Sequence, residues 1–393
     1  MHFPIPTRRL GRLARLVGAA ATGAALVASL TAATVGAAGS PTIGHVYVNG
    51  NTAGENTVLG YARHADGSLT ALPGSPYRAG GVGTGGAFGS AGGLQETTDG
   101  RYLLATDPAS NQISSLRIKP NGGLQLVDVV ASNGTTPTSI ATSGSLVYVA
   151  NGGAGGSNYT GFRINAGGRL TPIAGSTYTL PDNALPGHVL ISPDGRRLVG
   201  LRVGPNAGPS YLDGFRIGDD GRLTAAPGSP YAAQRIGPFG STFSSVHGDQ
   251  LFVSNAHDGA GNGSVSVYDV AEDGSLTAIA GSPFADGQTA PCWVAISPDG
   301  GALFAVNTGS GSVSRYSVAA DGTLGLVGST VLGGTAPRRA FDAQVSPDGG
   351  FLYIVNAVGA ISTFSVDGTT ITELSGSPVA TPGGTAPFGM VVD

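Results

Sequence analysis

Residues 289–318 read TAPCWVAISPDGGALFAVNTGSGSVSRYSV: an apolar run, a Ser-Pro-Asp-Gly turn, a second apolar run ending in Asn307, a Gly/Ser turn and a third, alternating run. Short runs rich in β-branched and aromatic residues and bounded by Gly, Pro, Asn and Ser predict strands. Alternation with a period of two predicts a strand whose faces pack differently. The stretch therefore predicts three antiparallel strands joined by tight turns. A fourth short run follows in most copies and often ends in Gly-Ser-Pro plus an aromatic, as at residues 74–77, 228–231 and 281–284. Proline suits the outer edge of a sheet, because it donates nothing to a ladder and discourages edge pairing.

The same unit can be traced seven times. Gly100, Gly144, Gly195, Gly248, Gly300 and Gly349 close its first turn, and seven residues after each stands the end of the second run: Asp107, Asn151, Arg202, Asn255, Asn307 and Asn356. Four antiparallel strands recurring about every 50 residues predict the blades of a β-propeller. A blade alone cannot bury both faces, so blades must stack around an axis. Residues 46–49 (VYVN) are a second strand lacking its inner strand, and residues 385–393 (TAPFGMVVD) are an inner strand with nothing after it. Joined, they complete one blade and close the ring. The expectation is an all-β, seven-bladed propeller of four-stranded antiparallel blades, one domain over residues 39–393. The other six blades are expected to open near Ala87, Pro137, Pro186, Pro238, Pro291 and Pro337. The glycine-rich residues 80–93 follow no phosphate-loop pattern and are expected to form a mobile loop over one propeller face.

Residues 1–38 belong to another kind of segment. Arg8, Arg9, Arg12 and Arg15 precede an Ala-rich apolar run and then small residues at 35–38. This is the layout of a secretory signal peptide, with an apolar core too short for a comfortable membrane span. Arg8-Arg9 after Thr7 also allows a twin-arginine signal. The protein is therefore expected to be secreted or otherwise extracytoplasmic, by the general secretory or twin-arginine route, with no transmembrane anchor after signal removal and as a monomer. Losing the four arginines takes the formal charge from −4 to −8. That acidity argues against nucleic acid or an anionic membrane as partner. The single cysteine, Cys292, excludes an internal disulfide framework. Beside Trp293 in an apolar run, it reads as a small buried hydrophobe.

The Ser-Pro-Asp-Gly turns at residues 192–195, 297–300 and 346–349, with LYIVN-like strands and D-G-x-L turns, resemble the seven-bladed lactonase family. That family is typified by the propeller type of 6-phosphogluconolactonase and includes fungal carboxymuconate-cyclising enzymes. The resemblance covers the whole mature chain and implies a propeller fold and lactone chemistry. The enzymes it resembles carry Pro-Arg-His at the start of an inner strand and Asn-Glu at the end of the next. Here Pro291-Cys292-Trp293 and Asn307-Thr308 stand at those places in one blade, and Pro186-Gly187-His188 with Arg202-Val203 in another. The last full blade has Pro337-Arg338-Arg339, displaced by about three residues, and Asn356-Ala357. No blade keeps the full set.

Propeller geometry puts the starts of inner strands and the ends of second strands on one face, around the axial opening. His188, Cys292, Trp293, Arg338 and Arg339 are therefore expected to share a rim with Asn49, Asp107, Asn151, Arg202, Asn255, Asn307 and Asn356. An Asn at a strand end also bonds nearby backbone, which is its structural reading. Asp107 and Arg202 break that pattern with charge, and a charged pair between neighbouring blades is the alternative to ligand binding. Lactone hydrolysis needs a base to activate water and cations to hold the substrate anion and the developing oxyanion. His188 is the candidate catalytic base and Arg202, Arg338 and Arg339 the candidate anion holders. Asp107, Trp293, Asn307 and Asn356 complete the candidate ligand-binding set.

No Cys/His spacing suggests zinc, and the loop at His257-Asp258-Gly259 lacks a second carboxylate cluster. There is no G-x-S-x-G elbow and no phosphate loop. No metal or cofactor is expected. Two functions stand open: a lactonase-like propeller binding a small-molecule or protein ligand at the channel mouth with its catalytic positions lost, and a lactone hydrolase with a rearranged site around His188. A cell-surface or wall-associated scaffold is a third, resting on the signal peptide.

Overall fold

The computed structural model describes residues 39–87, 89–333, 340–356, 358–382 and 386–393. The expected signal segment lies outside them. Seven antiparallel sheets take their strands in order from the axis outward. From blade 1 to blade 7 the inner strands are Phe388–Val392, Leu94–Glu96, Pro137–Ser143, Pro186–Ile191, Pro238–Phe243, Pro291–Ile296 and Ala340–Val345. The second strands are Thr42–Asn49, Tyr102–Asp107, Leu146–Asn151, Arg197–Arg202, Gln250–Asn255, Ala302–Asn307 and Phe351–Asn356. Each inner strand touches the inner strand of the next blade, and Ala340–Val345 touches Phe388–Val392, so the ring closes. Blade 1 is built from both ends of the propeller segment, with Tyr47 paired to Val391.

Seven hydrophobic clusters lie one between each pair of neighbouring blades. Ala302, Phe304 and Val306 face the core between blades 6 and 7, while Leu303 and Ala305 face the core between blades 5 and 6. Burial on both faces is why second strands read as unbroken apolar runs. Each fully buried Val, Leu or Phe contributes about 1.5–3 kcal/mol. Tyrosines stitch adjacent blades: Tyr47, Tyr102 and Tyr353 donate their hydroxyls to the carbonyls of Gly122, Ala166 and Gly67 in the outer turn of the next blade, at 2.8, 2.9 and 3.1 Å.

The recurrent motifs are structural. In the Ser-Pro-Asp-Gly turns, Ser192, Ser297 and Ser346 accept the N–H groups of Arg197, Ala302 and Phe351, at 3.0, 2.9 and 3.0 Å. Their glycines take the positive φ the turn requires, as at Gly195, φ +73°. The Gly-Ser-Pro segments interrupt the outer strand, and the serine hydroxyl replaces the missing carbonyl. Ser75, Ser229, Ser282 and Ser377 accept from Gly60, Gly214, Val267 and Thr363 of the third strand, at 2.8–3.1 Å.

Two boundary expectations change. Blade 2 has its inner strand at Leu94–Glu96 rather than opening near Ala87, and the glycine-rich stretch is partly strand: Tyr77–Gly83 pairs with Gly54–His64. Its glycines serve close approach. A β-carbon on Gly80 would lie 2.7 Å from Val129, and one on Gly81 2.4 Å from Asp107. The described inner strand of blade 7 begins at Ala340, and Pro337 lies outside the described residues. Among the described residues, no helix is long and apolar enough to cross a membrane.

Candidate functional site

Inner strands carry the site. In six blades their pairing with the second strand slips by one residue near the strand start. Such a bulge re-aims the side chains that follow it. His188, Trp293 and Asp342 each stand four residues before the Ser of a Ser-Pro-Asp-Gly turn, so they are equivalent positions of three blades. All three line an axial cavity of about 520 Å³. Its lining near the strand starts, His188, Trp293, Asp342 and Met390, is buried, whereas Gln95, Glu96, Thr242 and Gln344 nearer the strand ends are partly or fully exposed. The cavity thus opens on the side of the inner-strand ends, opposite to the rim expected from the sequence.

His188 Nδ1 accepts the backbone N–H of Ser241, 3.1 Å away, and lies 3.0 Å from the Ser241 hydroxyl. A nitrogen that accepts an N–H carries no proton, so the neutral ring holds its proton on Nε2. Burial pushes the imidazole down to about 3. His188 is therefore a neutral hydrogen-bond donor near neutral pH, and the role of base expected from the sequence does not fit it. Asp342 is buried with no cation beside it among the described residues. Its Oδ1 accepts Ala343 N–H at 3.0 Å and its Oδ2 accepts Gly92 N–H at 3.3 Å. Burial pushes this carboxyl up to about 7, against the pull of those N–H groups. Gly92 lies between the two: its N–H meets Asp342, and a β-carbon on it would be 3.0 Å from His188 Nε2. At φ +66° it also holds a backbone that suits glycine.

Glu96 stands at the open end. Burial, with Asp393 and Asp99 nearby, pushes its carboxyl up to about 7, against the opposing influence of His45. His45 itself pairs with Asp393 at 3.0 Å.

The strand-end ring expected at the mouth is a set of buried contacts between strands. Arg202 is 8% exposed and donates through Nε to Asp213 Oδ2 at 2.6 Å and through Nη2 to Asp213 Oδ1. Tyr159 donates to the same carboxylate at 3.0 Å. Both residues belong to blade 4, so the charge is met across one hairpin and not between neighbouring blades as expected, and the guanidinium is committed to Asp213. Asp107, fully buried, accepts from Asn56 at 2.8 Å and from Ser114. Asn307 donates to Ser312 and Ser314, and Asn356 to Ser362. Trp293 is 2% exposed and packs against Phe239 and Phe341 with ring centroids 5.1 and 5.4 Å apart, so it is a wall of the cavity rather than a rim residue. Arg338 and Arg339 lie outside the described residues. Burial pushes the Cys292 thiol up to about 11.

Sequence reasoning missed Asp342 and Glu96. The signal for Asp342 was present, four residues before Ser346, but alignment on proline drew attention to Pro337 instead. Glu96 was also within reach of counting: four residues before Gly100, it stands where Ile191, Ile296 and Val345 stand before Gly195, Gly300 and Gly349. Among the described residues no group of three or more His, Cys, Asp or Glu gathers as metal ligands do.

Structures similar to this chain include the periplasmic gluconolactonase of Pseudomonas aeruginosa, 20% identical over 89% of this chain and 98% of that one, with a TM-score of 0.68. A candidate 6-phosphogluconolactonase from Bacteroides uniformis is 20% identical over 89% of this chain and 99% of that one, with a TM-score of 0.70. At such identity the likeness speaks for the fold alone. Among curated proteins no sequence matches the chain. The family model for lactonase, 7-bladed beta-propeller, matches residues 40–183 and 241–388, well over half of the chain. The chain belongs to the seven-bladed β-propeller lactonase family.

Proposed function

We propose that the protein is a lactone hydrolase whose site is the axial cavity. The observation that carries this reading is the convergence of His188 and Asp342 on Gly92 inside that cavity. A carboxyl held near 7 is ionised in part at neutral pH and accepts a proton with a real driving force. In the proposed cycle the Asp342 carboxylate takes a proton from water while the water oxygen bonds to the lactone carbonyl carbon. His188 Nε2–H donates to the carbonyl oxygen as negative charge develops there. The acyl carbon–oxygen bond of the ring then breaks, and the leaving ring oxygen takes the proton held by Asp342. A hydroxy acid is released.

The reading is tested by following acid release from unphosphorylated aldonolactones with purified protein and with Asp342→Asn. Turnover above the spontaneous rate, lost by at least about a hundredfold in the variant, supports it. Turnover that survives Asp342→Asn overturns the assignment of Asp342. A second reading, ligand binding without turnover, draws on Arg202, whose guanidinium is committed to Asp213 and leaves no described cation for an anionic transition state. Binding of a lactone without acid release selects it. The signal-like residues 1–38 support export of either activity, which cell fractionation tests.

A further inference from the structure

We infer that the open end of the axial cavity selects neutral, unphosphorylated lactones, and that Glu96 is the residue that rejects anions. The inference rests on the hydrolase site proposed above and concerns what that site admits. Two carboxyls, Glu96 at the opening and Asp342 at depth, face the cavity, and its described lining contains no Lys or Arg. The charged groups facing Glu96 are Asp393, which follows the inner strand of blade 1, Asp99 in the first turn of blade 2, and His45 on the second strand of blade 1. Two of the three are acidic, and His45 is tied to Asp393 at 3.0 Å.

The described arginines beside these acids are turned to acidic or carbonyl partners. Arg63 donates to the Asp393 carbonyl at 2.8 Å and to Asp348 at 2.6 Å, and Arg101 lies 4.0 Å from Asp99. A phosphate ester entering such an opening would meet carboxylate at short range in a partly desolvated space, where like charges repel strongly. Rejection by an unpaired like charge is an economical route to specificity. The same field acts on the product: a neutral lactone enters, hydrolysis makes a carboxylate, and the two acidic groups favour its departure.

The experiment is calorimetric titration at pH 8 with two probes that cannot be hydrolysed, gluconolactam and its phosphate ester, together with a turnover assay on gluconolactone. The wild type is expected to bind the neutral lactam at least about tenfold more tightly than the phosphate ester. Glu96→Gln should narrow that ratio by about threefold or more, and Glu96→Lys should invert it. Equal or tighter binding of the phosphate ester by the wild type overturns the inference. So does a ratio unchanged in both variants, and so does absence of binding by either probe. Lactam selectivity without gluconolactone turnover leaves this inference standing and removes the hydrolase reading. Turnover with a preference for the phosphate ester does the reverse.

Discussion

The backbone N–H of Ser241 in blade 5 donates to Nδ1 of His188 in blade 4, across 3.1 Å. One hydrogen bond between neighbouring inner strands thus decides the chemistry of the imidazole. It assigns the proton to Nε2 and turns His188 into a donor. His188→Phe should lower kcat on a neutral lactone by about a hundredfold, the usual cost of losing one donor to a developing oxyanion, while His188→Gln, which keeps a donor, should retain more of the rate. Because burial holds the imidazole down to about 3, the pH–rate profile between pH 5 and 8 should contain no inflection that disappears in His188→Gln. An inflection near 7 abolished by that variant would return the base role to His188.

Asp342 predicts the pH dependence of stability. Its carboxyl is raised to about 7 when folded, whereas an unfolded aspartate titrates near its ordinary value. Between those values the folded state holds a proton that the unfolded state has released. The stabilisation is therefore fully present below the unfolded value and is lost as pH rises through the folded one. Denaturant unfolding of the wild type should weaken from pH 4 to pH 8, by on the order of 2–4 kcal/mol for this group. Asp342→Asn should flatten the slope, and Glu96→Gln should flatten it further because Glu96 is shifted in the same direction. A slope unchanged in both variants would show that neither carboxyl is held protonated.

Arg202 and Asp213 are expected to behave as a structural pair. Arg202→Ala leaves the Asp213 carboxylate buried beside Tyr159 without its partner, and should cost about 3–5 kcal/mol in denaturant unfolding. Replacing both by apolar residues of similar volume, as in Arg202→Met with Asp213→Leu, should recover much of that loss. In Arg202→Ala protein that remains folded, KM for a lactone should be unchanged. A raised KM with little loss of stability would place Arg202 at the ligand instead.

Much of the molecule was legible along the chain because propeller strands are local and repeated. Ser346-Pro347-Asp348-Gly349 repeats the turn at Ser297 so closely that blades can be aligned by counting. The apolar second strands follow from burial on both faces, which any stacked blade imposes. The split inner and second strands of blade 1 announced the closure that the Tyr47 to Val391 pairing completes.

The site was less legible, since chain order alone does not state which residues of different blades meet. Asn49, Asp107, Asn307 and Asn356 were expected at the mouth, the asparagines with a structural reading beside the ligand one, and in the fold all four are buried and bonded to groups of their own or the neighbouring blade. Arg202 looked like an anion holder until Asp213, eleven residues on, came to face it across the hairpin.

By itself, then, the sequence determined the number of blades, the turn that spaces them and the way the ring closes, since each depends on contacts within one repeat or on the periodicity of burial. Only the tertiary structure decided that His188 and Asp342, in blades 4 and 7, converge on Gly92 of blade 2, and that the cavity opens at the strand ends beside Glu96. Those facts depend on the ring as a whole: its diameter, the bulges that re-aim inner-strand side chains, and the burial that sets the state of each proton.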